Sequence, residues 1–562
     1  MARGAMKLGR RKIGGSLVHW YRAVALDLDG TLTTGGWPAP AVLDAIAAVR
    51  EKGVRVLLVT GRILSDLDVE FPGLANRFDL VVAENGCVLR GANGSRLLAD
   101  PVEPALLERL HDVGIGVSRG QVLLATAADA GHIALDAIES LGLDVHLVRN
   151  RGALMLMPAG ITKGTGLREG LAELGISPHN SLAVGDAEND YALLGAAELG
   201  VAVGNAVKSL REHADLVLTA EDGAGVADLL TGPVLDGRQR IHSTRWQLVL
   251  GQDMSRRPAV MPASQTNLLI TGDTESGKSY LAGLVIEQLL ALGYVLLVVD
   301  PEGDHVPLGA LRGVTVLGSS HLPHPAELPA LYGHGAACVI VDLSGMDPSA
   351  RDNYLAGLRP AVARYRTQTG QPHWIVMEEA QNLLCCRTTG LDSDLAAMRG
   401  LCLISYQPQQ LATPLLAGVE WHVALSPGSR TAILSPPEGQ PYPFTVGSRT
   451  TGHVRHWHKY VDGVLPPNLR FAFHGDNPAD ILVATNLREF IADLPKVPAT
   501  AISFHALRAD FSRWISDAYR DHILAGLVAT TERDLIDHGD AERTRRLLIT
   551  LVAFRYLPLG EQ

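Results

Sequence analysis

Asp27 and Asp29 sit two residues apart in Asp27-Leu28-Asp29-Gly30-Thr31, directly after the apolar run Ala23 to Leu26. Side chains two apart on a strand share a face, so both carboxylates can point past its carboxyl end. Paired acids there can ligate Mg2+ through oxygen. They can also divide labour, one as nucleophile and one as general acid/base. A second apolar run, Val54 to Val59, ends in Thr60-Gly61-Arg62, where a hydroxyl and backbone N–H groups at a strand–helix junction suit a phosphate oxygen. Lys163, in Ile161-Thr162-Lys163-Gly164-Thr165, supplies a fixed cation for charge on a transferring phosphoryl group. Leu182-Ala183-Val184 leads into Gly185-Asp186-Ala187-Glu188-Asn189-Asp190, and Asp186 with Asp190 would complete a metal site.

A second chemistry is written farther along. Gly272-Asp273-Thr274-Glu275-Ser276-Gly277-Lys278-Ser279 fits G-x-x-x-x-G-K-[ST] between an apolar strand and a helix, the context a phosphate-cradling loop needs. Gly272 and Gly277 let backbone N–H groups face the phosphates of ATP. Lys278 would reach the β- and γ-phosphates, and Ser279 would ligate Mg2+. His373 to Met377 reads as an apolar strand ending in two acids. Glu378 would hold Mg2+ through water, and Glu379 could polarise the attacking water.

These residues need elements to hold them. From Tyr21 to about Leu230 short β-rich runs alternate with Ala/Leu-rich helical stretches, the pattern of a parallel α/β sheet. Gly232 to Asn267 reads as a linker, and a second α/β series runs from Leu268 to about Ser429. Pro436, Pro437, Pro441 and Pro443 mark a further boundary. The expected division is residues 1–232, 233–435 and 436–562. A small α/β cap is expected at about 87–157, with helices from Pro104 and His132 and strands from Gln121, Val145 and Ala153.

The four acidic and phosphate-facing segments, with Ala83-Glu84-Asn85-Gly86 and Val203-Gly204-Asn205-Ala206, resemble the haloacid dehalogenase (HAD) phosphohydrolases of the Cof-like branch with a type-IIB cap. The resemblance covers roughly residues 21 to 232 and implies a Rossmann-like core. It also implies Asp27 as the nucleophile forming an aspartyl-phosphate and Asp29 as general acid/base. Thr60 and Lys163 would bind the phosphoryl group, Asp186 would ligate Mg2+ with Asp190 assisting, and Asn189 would lie near the phosphate. The compact cap is closer to the phosphoglycolate phosphatase type, with a sugar phosphate or phosphoglycolate as substrate.

Roughly from Trp246 to Ser429, Asp300-Pro301-Glu302-Gly303-Asp304 and Ser405-Tyr406-Gln407-Pro408 add to the phosphate loop, and the stretch resembles HerA/FtsK-type RecA-like ATPases. That resemblance implies Gln407 as a sensor of the γ-phosphate, an oligomeric ring and a nucleic-acid substrate. This sequence departs from the pattern: Glu378 replaces the usual Asp and is a methylene longer. Glu275 stands where glycine is common, and carboxylates near a triphosphate cost binding unless they point away. Arg399 and Arg430 are arginine-finger candidates by position only. ATP binding is therefore favoured over vigorous hydrolysis, and an ATP-driven translocase or an ATP-responsive scaffold stands as the alternative.

Lys+Arg of 49 against Asp+Glu of 60 gives a net charge of -11, which disfavours the chain as a basic nucleic-acid binder. No run approaches the ~20 apolar residues of a membrane span. The basic amino terminus lacks an apolar signal region. Five cysteines without a CxxC pair argue for a reducing cytoplasm. In the last third, His456 and His458 could share a strand face, although no third ligand is evident, and Phe511, Trp514 and Ile515 have helical spacing. A homo-oligomer is compatible with all of this.

Overall fold

The computed structural model describes residues 20–150, 152–273, 276–318, 322–384, 398–426, 430–451, 461, 465, 469–474, 482–519 and 521–556. Thr274, Glu275, Cys385, Cys386, His456 and His458 lie outside these residues.

The amino-terminal body is built on an eight-stranded sheet. In spatial order its strands are Leu216–Val217, Leu199–Ala202, Ser181–Gly185, Ala23–Leu26, Arg55–Val59, Leu80–Ala83, Val88–Gly91 and Gly94–Leu97. The first six run parallel, and the last two form an antiparallel hairpin at the edge. Helices cover both faces, which is why Ala23–Leu26 and Ser181–Gly185 are apolar without alternation and buried throughout. That hairpin occupies residues expected to open the cap, so the cap begins later than residue 87. The cap itself is a four-stranded antiparallel sheet of Ser118–Arg119, Leu124–Ala127, Ala153–Pro158 and Val145–Asn150. Helices Pro104–Asp112 and Gly131–Leu141 pack on it through Leu106, Leu110, Ala134 and Ile138.

The second body holds an eleven-stranded mixed sheet. Its parallel centre places Leu401–Ser405 between Leu268–Thr271 and Trp374–Met377, with Leu296–Asp300 beyond. The stretch read as a linker is not one. Gln247–Asp253 and Pro258–Pro262 are strands of this sheet, and Gln247–Asp253 pairs with Tyr442–Val446. Tyr442–Val446 itself lies past the boundary expected at 435. Its partners in Gln247–Asp253 are 191 to 195 residues away in sequence, and local composition carries no signal of that pairing.

The two bodies meet at the amino ends of their strands. On one side stand Trp20, Tyr21, His179, Asn180, Glu198 and Asp215, each just ahead of a strand of the first sheet. On the other stand Ser264, Gln265, Tyr294 and His373, each just ahead of a strand of the second. The buried Glu198 carboxylate lies 2.7 Å from His179 Nδ1 and accepts the Tyr294 hydroxyl at 3.0 Å and the Ser264 hydroxyl. His373 Nε2 donates to Asn180 Oδ1 at 3.0 Å, and the His179 and Tyr294 rings stack with centroids 3.7 Å apart. Arg245 donates to Asp215 at 2.6 Å and to the carbonyls of Gly195 and Ala197.

The described residues of the carboxyl-terminal region are mainly helical, beside one two-stranded pair, Phe471–Phe473 with Leu482–Ala484. The region's core gathers Phe471, Phe473, Phe490, Phe511 and Trp514. Both ring nitrogens of His505 are used structurally, Nδ1 with Asp510 at 2.9 Å and Nε2 as acceptor of the His474 N–H at 2.9 Å.

Candidate active site

The strand Ala23–Leu26 delivers Asp27 into the interior, where its N–H continues the ladder to Val184 at 3.1 Å. The chain then turns sharply. Thr31, Leu32 and Thr33 all donate to the Leu28 carbonyl, and Gly30 takes φ +90°, a conformation open to glycine at little cost. Lys163 enters from the first turn of helix Lys163–Glu173, whose Thr162 and Thr165 cap each other reciprocally. Two glycines make this approach feasible. A Cβ on Gly164 would stand 2.1 Å from the Ala192 carbonyl, and one on Gly86, at φ +108°, 2.1 Å from the Thr162 carbonyl. Ala83-Glu84-Asn85-Gly86 therefore marks the place where the helix bearing Lys163 presses on the core.

The result is a closed cluster. Lys163 Nζ donates to Asp27 Oδ1 at 2.7 Å and to Asp190 Oδ1 at 2.6 Å, with all three side chains buried. Asp190 Oδ2 accepts the N–H groups of Asp186 and Ala187 at 2.9 and 3.0 Å, and Asp186 Oδ1 accepts the Thr31 hydroxyl at 3.2 Å. Ligand oxygens of Asp27, Asp186 and Asp190 lie within 4.8 Å of one another. Burial and the neighbouring Asp190 charge push the Asp27 carboxyl well up, against the pull of Lys163. Burial opposes the Lys163 charge, yet the two carboxylates it touches hold its pKa above the ordinary lysine value. Ionised, three carboxylates and one ammonium leave an excess of two negative charges. Hard oxygen donors with that surplus fit a divalent cation such as Mg2+.

The other expected residues lie around this cluster, with one displaced. Asp29 is not among the converging acids: Arg62 Nε and Nη2 grip its two oxygens at 2.8 Å each. Its side chain is therefore an ion-paired carboxylate beside the acid cluster and not a member of it. Arg62 also bonds Glu70 and lies over the Phe71 ring at 4.9 Å. The buried Thr60 hydroxyl accepts the Arg62 N–H at 3.1 Å, across Gly61. Asn189 Nδ2 donates to Asn85 Oδ1 at 3.2 Å, and Asn85 Nδ2 in turn reaches Met157 Sδ of the cap at 3.3 Å. Sequence reasoning gave Glu84 no role. Its buried carboxylate leaves the core and accepts the N–H groups of Gln121, Val122 and Leu123 at 2.8, 2.9 and 3.2 Å, clasping the cap.

In the second body, Gly277 takes φ +95° at the start of helix Lys278–Ala291, and Lys278 Nζ folds back to the Asp273 carbonyl at 2.9 Å. Ser279 Oγ donates to Glu378 Oε1 at 2.6 Å, bringing the loop serine and the strand acid together. Gly272 opens the loop at φ +156°. Glu379 is buried at φ +48°; burial and the Glu302 charge raise its carboxyl, and Gln381 bonds it. Gln407 does not reach this group in the structure. Its N–H donates to Ser405 Oγ at 3.1 Å and its side-chain oxygen accepts from Gln410, while Tyr406 is the residue set against Lys278, with Nζ 6.0 Å from the ring centroid.

A parallel sheet with acids at its strand ends and a lysine fixed between them defines a class. Residues 24–131 and 136–230 match the haloacid dehalogenase-like hydrolases, and through this part the chain belongs to that family. It is 35% identical over 216 residues to the phosphoglycolate phosphatase of Methanothermobacter thermautotrophicus, covering 37% of this chain and 96% of that protein. The phosphoglycolate phosphatases of Archaeoglobus fulgidus and Halorubrum lacusprofundi are each 33% identical, over 218 and 220 residues, covering 37% of this chain and 95% of each protein. Residues 263–329 match the central domain of helicase HerA. Among the described residues no helix is long and apolar enough to cross a membrane.

Proposed function

We propose that residues 1–232 form a Mg2+-dependent phosphomonoesterase for a small phosphoester of the phosphoglycolate or sugar-phosphate type. Residues 233–435 would form an ATP-binding P-loop module fused to it, with residues 436–562 as a third module. The observation that carries the first part is Lys163, buried between Asp27 and Asp190 with Asp186 beside them.

Asp27 attacks phosphorus and the ester P–O bond breaks, giving an aspartyl-phosphate and an alkoxide oxygen. Asp29 delivers a proton to that oxygen, then removes one from the water that hydrolyses the aspartyl-phosphate. Asp29 sits on Arg62 in this structure, so substrate entry must loosen that pair before Asp29 can carry the proton. Lys163, Thr60 and the Gly61 N–H hold the phosphoryl oxygens. Mg2+, held by Asp27 and Asp186 with Asp190 bracing the Asp186 turn, would offset phosphoryl charge. Asn189 and the cap close the pocket from above. The relatives' names point to a substrate with a carboxylate near the phosphate.

The test is phosphate release from phosphoglycolate, sugar phosphates and nucleotides, with Mg2+ and with chelator, using Asp27→Asn as the blank. Release that needs Mg2+ and disappears in the variant is expected. Turnover surviving in Asp27→Asn would sink the nucleophile assignment.

The helicase-like match and the Ser279–Glu378 contact favour ATP at the second site. A nucleic-acid translocase reading requires DNA-stimulated hydrolysis that Lys278→Ala removes. ATP binding without that stimulation supports the regulatory or scaffold reading.

A further inference from the structure

We propose that His305 is a positioning residue for the P-loop module, one that fixes the orientation of Glu378 toward the Mg2+ of bound nucleotide. The inference rests on the ATP-binding reading and assigns a function to a residue outside the phosphate loop and the acid strand.

Glu378 stands at the end of strand Trp374–Met377 and is wholly buried. A glutamate there has one more rotatable bond than an aspartate, so more conformers compete with the one that faces Ser279. The structure holds each carboxylate oxygen separately. Oε1 accepts the Ser279 hydroxyl at 2.6 Å, and Oε2 lies 3.2 Å from His305 Nε2. Two donors from two elements fix the plane of the carboxylate; one would leave it free to turn about the Ser279 bond.

The chain spends a turn on delivering that histidine. After strand Leu296–Asp300, the Asp300 carboxylate accepts four consecutive N–H groups. Oδ1 takes those of Glu302, Gly303 and Asp304 at 3.2, 2.8 and 3.2 Å, and Oδ2 that of His305 at 2.7 Å. Gly303 takes φ +82° inside this turn. The tight wrap reverses the chain and aims the fully buried His305 ring at Glu378. His305 Nδ1 finds no hydrogen-bond partner among the described residues, so the contact with Glu378 is the polar bond the ring makes there. A histidine kept for packing alone would gain nothing over a leucine at this depth.

The experiment is binding of a fluorescent, non-hydrolysable ATP analogue to the full chain, titrated with Mg2+ and repeated in chelator. Partners that orient metal ligands typically govern 10–100-fold in metal affinity. In His305→Ala the Mg2+ concentration for half-maximal binding should rise by roughly tenfold or more, while binding in chelator stays as in the parent chain. His305→Gln, which keeps a donor, should recover most of the loss. In a Glu378→Asp background, where the extra rotatable bond is gone, His305→Ala should shift the Mg2+ requirement by less than about threefold.

An unshifted Mg2+ requirement in His305→Ala overturns the inference, as does equal loss with Mg2+ and with chelator, which marks a packing role. Should His305→Ala fail to fold, His305→Gln and the Glu378→Asp pair decide the same question. A parent chain that binds no nucleotide with Mg2+ removes the ATP-binding reading and this inference with it; a parent chain that binds beside an indifferent variant removes the inference alone.

Discussion

Lys163 links two acids that would otherwise face each other across a dry interior. Its ammonium lies within 2.7 Å of both Asp27 and Asp190, and its charge is what makes their burial affordable. Lys163→Met keeps the volume and removes the charge. We expect it to abolish phosphate release and to destabilise the chain by about 3–5 kcal/mol, the cost of leaving buried charge unpaired; calorimetry and a phosphate assay read the two effects separately. A variant as stable as the parent would show that the acids take up protons once Lys163 is gone, so that no buried charge is left unpaired. At this scale the sequence was informative because the residue types are unusual: Asp27, Lys163, Asp186 and Asp190 are named by strand-end acids and one lysine in the right order. The grip of Arg62 on Asp29 was not legible. Arg62 is only two residues from Thr60 in sequence, yet whether its guanidinium turns to solvent or to an acid 33 residues earlier depends on the turn after Asp27. His305 was invisible for a similar reason, since its relation to Glu378 spans 73 residues.

The cap is tied to the core by Glu84, whose carboxylate accepts three consecutive backbone N–H groups from residues 121 to 123. Glu84 and Asn85 adopt φ of +53° and +55°, an uncommon conformation for side-chain-bearing residues that the clasp and the close Gly86–Thr162 approach keep in place. Glu84→Ala leaves those donors buried without their acceptor. We expect a loss of about 2–4 kcal/mol from the amino-terminal body and a KM that rises more than kcat falls, because the cap shapes the pocket while Asp27 and Lys163 stay in place. A substrate titration paired with a thermal melt checks this, and unchanged KM would mean the cap is held by other contacts. The strands and helices of both α/β series are legible because buried parallel strands are continuous apolar runs. The segment from Gly232 to Asn267 misled, because Gly251, Pro258 and Pro262 inside strands Gln247–Asp253 and Pro258–Pro262 read as loop residues, and Gln247–Asp253 pairs partly with a distant strand.

At the scale of the whole molecule, the seam around Glu198 makes the two α/β bodies one structure. Glu198, His179, Asn180, Tyr294 and His373 are all buried there and all hydrogen-bonded across or along the seam. Glu198→Ala strips the acceptor from His179, Tyr294 and Ser264 together. We expect it to cost about 3–5 kcal/mol and to split a single calorimetric transition into two, one for each body. One undivided transition in the variant would show that the apolar contacts suffice to hold the bodies together. Composition anticipated separate domains but not this seam, since its residues are ordinary strand-leading positions until the two sheets are set end to end.

The direction of the strands has a further consequence. The residues proposed for chemistry in both sheets lie past the carboxyl ends of their strands, while the seam lies at the amino ends, so the two proposed sites lie at opposite ends of the joined sheets. On the proposed reading, a product released at one site would cross bulk solvent before reaching the other. What joins them is a line of strands, Trp374–Met377 and Ser181–Gly185 abutting through His373 and Asn180, laid out as a push-rod is, able to pass a displacement and no material.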